Sequence, residues 1–153
     1  MNSLEDILRR DGTLVYKTRG TSMKPLLRQN RDLVIVCIPD ARLKKNDVAL
    51  YRRGEQYVLH RVIRVLSDHY LIRGDNTFSL ENVPDSAVIG VMEGFKRKGR
   101  EYKTTDRGYL CYVWLWTFLY PLRYIWFHMT RFLKAISRKI GLTQLVKRLL
   151  RYE

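Results

Sequence analysis

The sequence predicts a mainly β domain, a set of twisted antiparallel sheets or a small partly open barrel, followed by an aromatic and basic helical extension. Three observations carry this. Between Leu14 and Thr105, short runs of β-branched and aromatic residues recur at close spacing, separated by polar turns. Beyond Gly108 the composition turns abruptly to Trp, Tyr, Phe and Leu. Charge becomes lopsided at the same point: eight of the 29 basic residues, but one of the 15 acidic residues, lie in 109–153.

The elements follow in order. Ser3-Leu4-Glu5-Asp6 fits a helix N-terminal box, and Leu4, Ile7 and Leu8 share one face, so a short helix over 3–10 should end by Gly12. Leu14–Thr18 reads as a strand. Asp32–Ile38 is β-branched and continuously apolar, which predicts a buried strand. Val48–Tyr51 and Tyr57–Leu66 flank the hairpin turn Arg52-Arg53-Gly54-Glu55. Ser67-Asp68-His69 returns the chain into Tyr70–Arg73. Ser86–Phe95 and Arg100–Thr105 complete the set, giving a β domain over 1–108. Cys37 and Cys111 lack metal or redox spacing and sit in apolar runs, which predicts buried free thiols.

One loop stands apart, Gly20-Thr21-Ser22-Met23-Lys24-Pro25. Gly20 can adopt backbone that a Cβ resists, and Pro25 fixes its own φ and steers Lys24 away from helix. A stiff loop holding one hydroxyl still is what nucleophilic catalysis needs, given a nearby base. Val58-Leu59-His60-Arg61-Val62-Ile63 offers that base: alternation sets His60 on the face of Val58 and Val62, opposite Leu59 and Arg61. Arg73-Gly74-Asp75-Asn76 supplies a turn with a carboxylate.

These three motifs, in this order, resemble the signal peptidase family, in the branch that carries histidine where the common bacterial enzymes carry lysine. The resemblance runs from about Gly12 to Gly94. It implies the small β fold of those peptidases and a serine endopeptidase that trims a signal or leader segment from a peptide or preprotein. It implies Ser22 as nucleophile, His60 as general base and Asp75 as its acidic partner, with no metal or other cofactor. Relatives often carry a second acid further on; Glu81 and Asp85 stand nearest that position. The Ser22 N–H is the expected oxyanion donor. The hydroxyl that lysine-type enzymes add falls at Gly20, so Thr21 or another N–H must replace it. Met23 is expected to pack beneath the loop. A carboxylate paired with His60 predicts an imidazole pKa above the ordinary histidine value.

Two segments follow the β domain. Tyr109–Met129 is about long enough to span a bilayer, but Pro121, Arg123 and His128 interrupt it, and its Trp and Tyr suit the membrane boundary. Residues 109–130 thus read as a membrane-contacting segment. Residues 131–153 read as a basic amphipathic tail, with apolar stripes Phe132, Ile136, Ile140 and then Leu142, Leu145, Val146, Leu149. An anionic membrane surface, a prokaryotic plasma membrane foremost, is the expected partner. No nucleic-acid reading motif accompanies the charge, so no nucleic acid is expected. Two rival readings are a LexA-like soluble self-cleaving regulator and an idle binding module on the same scaffold. The first normally uses lysine as base behind a DNA-binding domain; the second would fail to react with a serine-directed probe.

Overall fold

A computed structural model describes residues 4–139. Helix α1 (Leu4–Asp11) leads into strands β1 (Thr13–Lys17), β2 (Asp32–Cys37), β3 (Val48–Arg53), β4 (Gln56–Val65), β5 (His69–Arg73), β6 (Glu81–Pro84), β7 (Val88–Arg97) and β8 (Arg100–Lys103). Helices α2 (Arg107–Phe118) and α3 (Tyr120–Lys139) follow. The fold is mainly β: one open antiparallel sheet in the order β1-β2-β7-β3-β4-β5-β6, with β8 also on β7. Strand β7 is long enough to hold β2 along one edge while β3 and β8 share the other.

The sheet carries apolar residues on both faces. One face buries Leu8, Leu14, Met23, Val34, Val36, Leu50, Leu59, Met92 and Phe95, together with Tyr109 and Val113 of α2. The other buries Ala49, Tyr51, Val62, Tyr70, Ile72 and Val83. Period-2 alternation assigns the faces, so neighbours such as Leu50 and Tyr51 enter different cores.

Seven of the eight strands overlap runs the sequence predicts. The eighth, β6, reads Glu-Asn-Val-Pro and buries one residue, Val83. It sits at the sheet edge on β5, where Pro84 removes no needed ladder donor. The run expected from Ser86 begins instead as a 3₁₀ turn at Asp85–Ala87.

The chain divides into two compact units, up to Val113 and from Trp114 onward. The first half of α2 therefore belongs to the β domain, because Tyr109 and Val113 are core residues. In the second unit α3 runs unbroken to Lys139, with Pro121 in its first turn, where a missing N–H costs nothing. Much of α3 is apolar and exposed: Trp126 is 64 % and Phe132 65 % exposed, and Leu122, Ile125 and Met129 share that state. Arg123 lies over the Trp116 ring at 3.6 Å. The helix has no acidic residue. No described helix is long and apolar enough to cross a membrane. Ile140 of the first expected stripe, and the whole stripe expected at Leu142, Leu145, Val146 and Leu149, lie outside the described residues. Both cysteines are free; Cys37 is half-buried, but Cys111 is exposed, since its position on α2 faces away from the core that holds Tyr109 and Val113.

Candidate active site

The Ser22 loop is tied down at both ends. Gly20 takes φ +86°, a conformation suited to glycine, and its N–H donates to Gln29 Oε1 at 3.1 Å. The Lys24–Pro25 peptide is cis. Met23 is buried in the core under the loop, and Leu26 and Leu27 follow it inward. The far end is fixed by Asp32, which is fully buried. Its carboxylate accepts from Arg28 N, from Arg31 and from Arg97, and Arg97 also donates to the Leu26 carbonyl. Burial pushes the Asp32 pKa up, but bonds from the two guanidiniums and the Arg28 amide outweigh it and hold the carboxyl well below its usual range.

The turn after β5 meets this loop. Asn76 N donates to the Ser22 carbonyl at 2.6 Å, and its side chain reaches the Thr21 carbonyl at 3.3 Å. Gly74 lies between Ser22 and His60. A Cβ on Gly74 would come within 2.8 Å of Ser22 O, 3.0 Å of Ser22 Cβ and 3.1 Å of His60 Cδ2. Cδ2 is therefore the imidazole atom that Gly74 faces, on the side of the ring away from Nδ1. The contact requires glycine: a side chain at 74 would wedge the two apart.

The opposite imidazole nitrogen, Nδ1, faces two groups. Tyr51 Oη lies 3.2 Å away and Glu81 Oε1 3.4 Å away. Tyr51 donates to Glu81 Oε2 at 2.8 Å, and Arg53 bridges both Glu81 oxygens at 3.1 Å. His60 is 5 % exposed. Burial lowers its pKa; Glu81 and Asp75 raise it and Arg53 lowers it, and the net direction is down. The expectation of a raised histidine pKa therefore fails: loss of water around the imidazolium outweighs the carboxylates.

Asp75 has a different main engagement. Its two oxygens accept from Arg61 Nε and Nη2, each at 2.7 Å, and Tyr112 donates to Oδ2 at 2.9 Å. Arg61 also reaches the Asn46 carbonyl at 2.8 Å and Tyr109 at 3.0 Å. The pair is buried. Burial pushes the Arg61 pKa down, but Asp75 more than reverses this and the net shift is upward. Bidentate pairing of this kind fixes geometry as well as charge. Asp75 so anchors the Gly74–Asn76 turn to β4 and α2, and acts on His60 through space. Asp85 pairs with Arg42 at 2.8 Å.

Ser22, His60 and Glu81 thus form a line through Gly74 and Tyr51. Thr21 borders it through its carbonyl. Sequence reading had no role for Tyr51, Arg53 or Arg61. Strand register carries the missing signal: Ala49 pairs with His60, so Tyr51, two residues on, shares the imidazole's face. No protein-family model matches this sequence, and comparison with the curated proteins returns no match.

Proposed function

We propose that this chain is a membrane-associated serine endopeptidase of the signal-peptidase kind, cleaving a signal or leader segment from an exported or modified peptide. The observation that carries the reading is that Gly74 stands between Ser22 and the His60 ring, so that a Cβ there would meet Ser22 Cβ at 3.0 Å and His60 Cδ2 at 3.1 Å. In this reading Ser22 Oγ attacks the scissile carbonyl while His60 Nε2 removes its proton. The imidazolium then returns that proton to the leaving amine. Glu81, facing Nδ1, stabilises the cation as it forms. The Ser22 N–H serves as oxyanion donor, and a second N–H of the loop replaces the hydroxyl absent at Gly20. The open sheet, with its buried Met23 and its Asp75-anchored turn, is read as the fold of those peptidases.

The exposed apolar side chains and all-basic charge of α3 support an anionic membrane surface as partner. The test is a fluorophosphonate probe on the purified protein, with a leader-type peptide as substrate. Wild type should label and cleave; Ser22→Ala should do neither and keep its fold. Absence of labelling in wild type across about pH 5–8, the range in which a histidine changes charge, removes the reading.

A further inference from the structure

The hydrogen-bond order around Nδ1 makes a prediction about the proton on His60. Glu81, ion-paired with Arg53, is a carboxylate and can only accept. Tyr51 has one hydroxyl proton, and its bond to Glu81 at 2.8 Å is shorter than its 3.2 Å contact with the imidazole. That proton lies towards Glu81. The phenol oxygen then offers a lone pair to Nδ1. Burial and the adjacent carboxylate push the Tyr51 pKa upward, so the phenol keeps its proton at neutral pH.

We propose that Tyr51 is the positioning residue of the site: its oxygen accepts Nδ1–H of His60 and thereby holds Nε2 unprotonated, the form a serine's base must have. A free imidazole prefers its proton on Nε2, the form that cannot take a proton from serine. Tyr51 reverses that preference. At 1 % exposure, its ring has one environment and its hydroxyl one place to be. Glu81 orients the Tyr51 proton, and Arg53 holds Glu81 in place. The consequence for catalysis rests on the peptidase reading; the tautomer does not.

The experiment is a proton–nitrogen correlation spectrum of the imidazoles in ¹⁵N-histidine-labelled protein, above the His60 titration, for wild type and Tyr51→Phe. The chain has three histidines, so assignment is tractable. Wild-type His60 should carry its proton on Nδ1. In Tyr51→Phe the Nε2–H form should rise, and kcat on a leader peptide should fall about tenfold with KM within about twofold. A wild-type proton on Nε2 overturns the proposal. So does a variant that keeps the Nδ1–H form, because Glu81 would then be taking that proton unaided. Phenylalanine preserves the ring, and the wild-type spectrum decides the tautomer even if the variant does not fold. A protein that no serine probe labels would remove the peptidase reading and leave the tautomer measurement in force.

Discussion

Gly74→Ala tests the site at its narrowest point. The added methyl would stand 2.8 Å from the Ser22 carbonyl oxygen, a backbone atom that no rotamer change can move aside. Reaching ordinary contact at 3.4 Å requires the loop or the turn to shift by about 0.6 Å. The same shift stretches the Asn76 N–Ser22 O bond and separates Ser22 Cβ from His60 Cδ2. Misplacing a nucleophile by about 1 Å costs on the order of a hundredfold in rate, so Gly74→Ala should lose roughly ten- to a hundredfold in kcat/KM. Overpacking at one methyl should cost about 1–3 kcal/mol of stability, which a compact domain tolerates. The assay is the second-order rate of fluorophosphonate labelling beside the thermal midpoint. A folded variant that labels at the wild-type rate would refute the claim that serine and histidine meet across this glycine.

Four further outcomes follow from the structure. Because burial depresses the His60 pKa, the neutral base persists below pH 6.5, the ordinary histidine value, and the acid limb of kcat/KM should lie beneath it. Glu81→Gln should move that limb lower, and by more than Asp75→Asn does, since Glu81 is the larger raising charge; a greater shift in Asp75→Asn reverses the assignment. Asp75→Asn should cost about 3 kcal/mol in denaturant unfolding, because it leaves the buried Arg61 guanidinium without its counter-charge. Truncation after Val113 should abolish sedimentation with phosphatidylserine vesicles, whereas a cut before Tyr109 should also lower stability by about 4 kcal/mol through loss of two core side chains and the Arg61–Tyr109 bond.

Strands β2 and β4 could be read from pattern, because most of their buried positions are apolar; the buried exceptions Asp32, His60 and Arg61 are the ones bonded around the site and its loop. Glu81–Pro84 could not, since an edge strand with one buried residue leaves no period to detect. The helical boundary misled for a related reason. Composition changes at Tyr109, but packing changes at Trp114, and the aromatic residues before that point bond to Arg61 and Asp75. Ser22 and His60 stand out as candidates in the sequence because each sits in a short motif whose backbone demands are local. The histidine pKa was not, because desolvation depends on what the whole fold packs around the ring.

Strand parity places Glu81 on the face of His60. His60 and Arg61 are neighbours on β4 and point to opposite faces. Arg61 pairs with Arg73 and Val62 with Ile72, and Ile72 pairs in turn with Glu81. Directly paired residues share a face, so Glu81 stands on the face of Val62, and hence of His60. Asp75 lies beyond the end of β5, in the turn, where the buried Arg61 guanidinium holds it at 2.7 Å. Gly74, just before it in sequence, is where a Cβ would meet both Ser22 and His60. A one-residue insertion between Arg73 and Gly74 would put the new residue in the place of Gly74. It would put a side chain against Ser22 and part Asp75 from Arg61, so labelling and stability should fail together. An insertion variant that retains both would show that the spacing from β5 does not set these contacts.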